Sequence, residues 1–104
     1  MDAVTGLSGS GPAYVFLLAE ALISAGIQQG LSLDVANTLV RQLLVGSSSL
    51  LAQSTASPSE LRLNVTSPNG TTEAGIAELQ SKQFVEIIAA AVLAATTRSK
   101  ELGE

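Results

Sequence analysis

The chain has 104 residues, five basic and nine acidic, for a formal net charge of −4, and it contains neither Cys nor His. Its cations (Arg41, Arg62, Lys82, Arg98, Lys100) are scattered, which excludes a phosphate-binding stripe for nucleic acid. The lack of Cys and His excludes disulfide scaffolds, zinc fingers, thiol nucleophiles and His-based triads, and no metal site is expected.

Hydrophobic residues make up 46%, aromatics 3% and charged residues 13%, against a usual charged share of about 25%. Such a chain has little polar surface to cover an apolar core, so the reading is one small domain, residues 1–104, working within an oligomer. Met1-Asp2-Ala3 does not open a signal peptide, and a cytoplasmic location is expected.

In chain order, Gly6-Leu-Ser-Gly-Ser-Gly-Pro12 reads as a Gly/Ser loop with Pro12 as the first helical position. From Ala13 to about Gln29 the apolar residues at 14, 15, 18, 21, 22 and 25 form a helical stripe. Phe16, Leu17, Ile23 and Ile27 lie off it, which predicts burial between neighbours. Gly30 is a plausible left-handed stop, and Ser32 with Asp34 opens the second helix. Its stripe runs from Ala36 through Leu39, Val40, Leu43, Leu44 and Ser47 to Leu50 and Leu51, and Gly46 inside it suggests a close helix crossing. Ser57-Pro-Ser-Glu60 is a capping box that starts a short third helix.

Asn64 to Gly70 is dense in turn residues, a fourth helix begins at Thr71 or Thr72, and Ser81 can cap a fifth. Phe84 to Ala95 carries one charge, Glu86, in twelve positions, which reads as a buried helix too short to span a membrane. Its alanines at 89, 90, 91, 94 and 95 would admit a close neighbour. With no strand-like alternation, the fold class expected is all-α with about five helices.

Three constellations could carry chemistry. The loop Gly6-x-x-Gly9-x-Gly11 does not fit a dinucleotide fingerprint, because Tyr14 stands where the third Gly would fall and no strand precedes it. It is better read as a lead-in that lets two backbones pass closely. Asn64-Val-Thr-Ser-Pro-Asn-Gly-Thr-Thr-Glu73 sets hydroxyls and an Asn-Gly pair against a helix start, whose unpaired amides suit a carboxylate or phosphate. Ordinary capping by Thr71 or Ser67 is the competing and commoner use of such residues. The central carboxylates Glu20 and Glu86 are more simply read as solvated or interface-paired than as acid or base groups.

Taken together, Thr5-Gly-Leu-Ser-Gly-Ser-Gly-Pro-Ala-Tyr14 and Asn64-Val-Thr-Ser-Pro-Asn-Gly-Thr-Thr-Glu-Ala-Gly75 closely resemble the C-terminal domain of pyrroline-5-carboxylate reductase, and the resemblance runs from Asp2 to about Leu102. The resemblance implies a helical dimerisation domain of the 6-phosphogluconate dehydrogenase C-terminal-like type, interleaved with its partner. It implies reduction of 1-pyrroline-5-carboxylate to L-proline with NADPH or NADH as cofactor. A homodimer or higher oligomer is implied, with no nucleic-acid or membrane partner.

By the same resemblance, the amides of Gly70, Thr71 and Thr72 and the hydroxyls of Ser67 and Thr72 would hold the substrate carboxylate. Thr5 would be the catalytic-site residue beside the ring nitrogen, and Asn64 and Val65 would border the nicotinamide. Asn69 departs from the family, which commonly has a second Gly there, although Asn also enters the left-handed region. The family's nucleotide-binding Rossmann half has no counterpart in these residues, so the chain by itself is expected to lack reductase activity. Two alternatives remain open: a helical assembly module without ligand chemistry, and the C-terminal domain of another small-acid dehydrogenase.

Overall fold

Local start and stop signals place most of the helices in the computed structural model, which describes residues 1–103. Helix α1 (Asp2–Val4) runs into a π-helical turn (Thr5–Gly9). It is followed by α2 (Gly11–Gln28), α3 (Leu33–Gln53), α4 (Pro58–Asn64), α5 (Thr71–Ser81) and α6 (Phe84–Gly103). No strand occurs among the described residues, so the chain is all-α.

Helix α2 stops at Gly30, whose φ is 101°. There Leu31 N–H donates to the Gly26 carbonyl at 3.1 Å and Gly30 N–H to that of Ile27 at 3.0 Å, the paired bonds of a Schellman stop. Helix α3 opens on Ser32, whose Oγ accepts from Val35 N–H at 3.2 Å. Helix α4 begins with Pro58, where the missing N–H would have had no helical partner anyway.

Four expectations change. The Gly6–Pro12 segment is helical, not a loop: the π turn is closed by Ser10 N–H donating to the Thr5 carbonyl at 2.9 Å. Each helical Gly costs roughly 0.5–1 kcal/mol against Ala, but Gly6 returns a close approach. A Cβ at Gly6 would lie 2.3 Å from Thr96 Oγ1 and 2.9 Å from Thr96 N, so the two backbones do pass closely here.

Ser81 does not cap α6. It ends α5, its hydroxyl donating to the Glu78 carbonyl at 2.9 Å, and the chain breaks at Gln83, whose φ is 64°. Gln is an unusual residue for that region, so its type gave no signal. Gly46 makes no close crossing within this chain, since no atom lies within 4 Å of where its Cβ would be. Finally, neither α2 nor α6 contains a buried residue.

Two compact units divide the residues: one comprises Met1–Pro12 and the chain from Ser59 onward, the other Ala13–Pro58. In the first, α1 and the π turn lie along α6, and α5 packs on α6. In the second, a groove of about 540 Å³ runs between α2 and α3, lined by Val15, Phe16, Ile23, Leu44 and Val45 among others.

Among the described residues, Ala36 and Val40 are the buried hydrophobics, whereas twenty-five large hydrophobic side chains are exposed, Phe16 at 67% and Val85 at 69%. The accessible surface is 7959 Å². A folded protein of this mass, 10.6 kDa, exposes about 5,500 Å², and two separate bodies of half the mass about 6,600 Å². The excess, roughly 1,400–2,500 Å² per chain, is surface that this chain does not cover by itself. Asp2–Gln28, 27 residues containing an 18-residue stretch with a mean hydropathy of 1.4, is also long and apolar enough by composition to cross a membrane.

Candidate functional site

The site is built from the end of α4 upward. Val65 N–H donates to the Arg62 carbonyl at 3.3 Å, Thr66 N–H to that of Leu63 at 3.1 Å, and Thr66 Oγ1 to that of Arg62 at 2.6 Å. These bonds satisfy the Arg62 and Leu63 carbonyls near the end of the helix. The chain then reverses in a β-turn with Pro68 and Asn69 at its corners, closed by Gly70 N–H donating to the Ser67 carbonyl at 3.1 Å. Asn69 has φ 60°, as its side-chain type permits, so the turn survives without the second Gly. Its N–H donates to Glu73 Oε1 at 3.3 Å.

Gly70, implied by the resemblance as a carboxylate-holding amide, serves the turn instead. Its backbone is extended, φ −90° and ψ −178°, so positive φ is not what the position demands. Space is: a Cβ there would meet the Ser67 carbonyl oxygen at 3.2 Å. The Gly70 amide is also spent on that carbonyl, and so is not offered to a ligand. The amides left over belong to Thr71, Thr72 and Glu73, because Ala74 N–H is the first to bond back, to the Gly70 carbonyl at 3.3 Å.

No side chain caps α5. Ser67, Thr71 and Thr72 are exposed, and their hydroxyls make no hydrogen bond among the described residues. The capping alternative requires such bonds, and they are not made. The unpaired amides of Thr71, Thr72 and Glu73 and the positive end of the helix dipole make this helix start suited to a carboxylate, with the hydroxyls of Ser67, Thr71 and Thr72 near it in the chain.

Thr5 is the first residue of the π turn, a geometry frequent at functional sites. Its hydroxyl donates to the Met1 carbonyl at 3.1 Å, which leaves the oxygen lone pairs free to accept. Thr5 and the Ser67–Thr72 cluster belong to the same compact unit, but no hydrogen bond joins them. Asn64 and Val65 lie immediately before the turn, both exposed, Val65 at 64%. An amide and an apolar side chain fit an edge contact with a flat ring. With no strand among the described residues, nothing there forms the βαβ cradle that holds a whole dinucleotide.

Two contacts escaped the sequence reading: the Gly6–Thr96 approach, and Ser99 Oγ donating to Asp2 Oδ1 at 2.7 Å across 97 residues. Neither has a local signal, because α6 supplies the second partner. No cluster of His, Cys, Asp or Glu among the described residues could hold a metal.

Such a fold, all-helical and with most of its large apolar side chains uncovered, is that of an assembly domain. Residues 1–102 match the family model for pyrroline-5-carboxylate reductase dimerisation, and the chain belongs to that family. It is similar to the pyrroline-5-carboxylate reductase of Pseudomonas aeruginosa, 48% identical over 104 residues, covering 100% of this chain and 38% of that protein. The soybean (Glycine max) reductase is 48% identical over 101 residues, covering 97% and 37%.

Among solved structures, the Plasmodium falciparum pyrroline carboxylate reductase with NADP bound superposes with a TM-score of 0.95 at 39% identity, covering 100% of this chain and 42% of that one. The Coxiella burnetii pyrroline-5-carboxylate reductase gives 0.94 at 42% identity, covering 97% and 37%. This chain thus spans about two fifths of the length of its relatives.

Proposed function

We propose that the chain is the dimerisation and substrate-binding part of a cytoplasmic pyrroline-5-carboxylate reductase, which converts 1-pyrroline-5-carboxylate to L-proline. The uncapped start of α5 carries this reading, since three free amides and three unspent hydroxyls otherwise go unused. The amides of Thr71, Thr72 and Glu73, with the hydroxyls of Ser67 and Thr72, hold the substrate carboxylate. A hydrogen bond to a charged group is worth about 1.5–3 kcal/mol, so this contact dominates orientation.

Thr5 accepts from the ring N–H, because its own proton is donated to the Met1 carbonyl. An acceptor there favours the protonated C=N, whose carbon is the more electrophilic. Asn64 and Val65 border the nicotinamide of NADPH or NADH, which supplies the hydride when bound. Reduction of an iminium needs orientation and a dry pocket more than a strong acid or base, which suits residues without His or Cys. A second copy supplies the dryness by covering the exposed faces of α2, α3 and α6.

Two measurements test the reading. Sedimentation equilibrium at micromolar concentration is expected to show a dimer, and a well-folded monomer would overturn the assembly part. In the full-length protein carrying this chain, L-proline is expected to inhibit at least tenfold more tightly than neutral prolinamide. Equal inhibition would leave only an assembly module without ligand chemistry.

A further inference from the structure

The N-terminal segment is pinned to α6 at two points that straddle Thr5. Three residues before it, Asp2 Oδ1 accepts from Ser99 Oγ at 2.7 Å in a partly buried bond. One residue after it, buried Gly6 lies against Thr96 so closely that a Cβ would come within 2.3 Å of Thr96 Oγ1 and 3.0 Å of the Val92 carbonyl oxygen. Residues 92, 96 and 99 share one face of α6 by helical spacing. The π-helical turn, Thr5–Gly9, begins between the pins and runs past the second, and the Thr5 hydroxyl is tied to the Met1 carbonyl at 3.1 Å.

A π turn is a costly local choice that tertiary contacts must hold in place. Without the pins only local bonds, Ser10 N–H to the Thr5 carbonyl and Ser8 Oγ to that of Val4, hold it against Gly6, Gly9 and Gly11, which loosen the backbone.

We infer that Ser99 and Thr96 are positioning residues for Thr5: through Asp2 and Gly6 they hold the π turn that aims its hydroxyl at the reacting ring nitrogen. The inference rests on the role proposed above for Thr5. Ser99 touches no ligand. It acts on the reaction only through the placement of Thr5, so its removal loosens orientation rather than binding.

The test is a double-mutant cycle on kcat in the full-length protein, with Ser99→Ala, Thr5→Ala and the pair. Ser99→Ala is expected to lower kcat about tenfold, a modest share of what an ångström of misplacement costs, while KM stays within twofold. Ser99→Thr, which keeps the hydroxyl, restores kcat. In the Thr5→Ala background, Ser99→Ala then has almost no further effect.

If the two losses multiply independently, Ser99 does not act through Thr5 and the inference falls, with the role of Thr5 intact. If Thr5→Ala leaves kcat unchanged, the role of Thr5 falls and the inference with it. A Ser99→Ala protein that merely melts earlier, with kcat preserved, marks a structural bond and also overturns it.

Discussion

Helices α3 and α5 start from similar materials and use them in opposite ways. Each follows a turn, each has hydroxyl residues at its start, and each carries one acid in its first turn, Asp34 or Glu73. In α3 the hydroxyl stands at the capping position, where Ser32 Oγ accepts from Val35 N–H. In α5 that position is Gly70, and the hydroxyls of Thr71 and Thr72 fall one and two residues later. One turn-position further in, a short hydroxyl side chain no longer stands where a capping group accepts from the first amides. A shift of one residue in register thus decides whether a helix end is capped by a side-chain hydroxyl or keeps its first amides unpaired.

The contrast can be broken most severely at Gly70. Val at this position would press on the Ser67 carbonyl, 3.2 Å from the new Cβ, and tilt the free amides away from the ligand. Overpacking of about 1–3 kcal/mol added to a lost charged contact predicts a KM about a hundredfold higher. A KM within threefold would show that the amides do not bind substrate.

Thr72→Ala comes next. It removes a hydroxyl that no described residue uses, so stability should hold while KM rises about ten- to hundredfold. Were the melting temperature to fall with KM unchanged, Thr72 would be serving its own helix after all.

Ser32→Ala is the mirror image. It should cost about 1 kcal/mol, seen as a melting point lower by a few degrees, with kcat and KM untouched. The smallest change is Asn69→Gly, which relieves a non-glycine φ of 60° but loosens the unfolded chain. The two effects oppose each other, and stability should move by less than about 0.5 kcal/mol. A large loss would mean that the Asn69 side chain, and not only its backbone bond to Glu73, supports the turn.

What the sequence determined by itself was local. Gly30 stops α2, Ser32 starts α3, Pro58 starts α4 and Asn69 takes the turn, because each acts through bonds within a few residues. The apolar excess and sparse charge also announced that the chain needs a partner, and the cluster from Ser67 to Thr72 was visible as hydroxyls before a helix.

The tertiary structure decided everything that depends on register or distance. It made the Gly-rich entry helical because α6 lies against Gly6, and it tied Asp2 to Ser99 over 97 residues. It also put the break before α6 at Gln83, a residue with no turn preference. At the site, it withdrew the Gly70 amide into the turn and left those of Thr71, Thr72 and Glu73 free. Residue types state which bonds a segment is able to make. Only the packed chain selects among them, because each donor is spent once and its partner is often supplied by a distant helix.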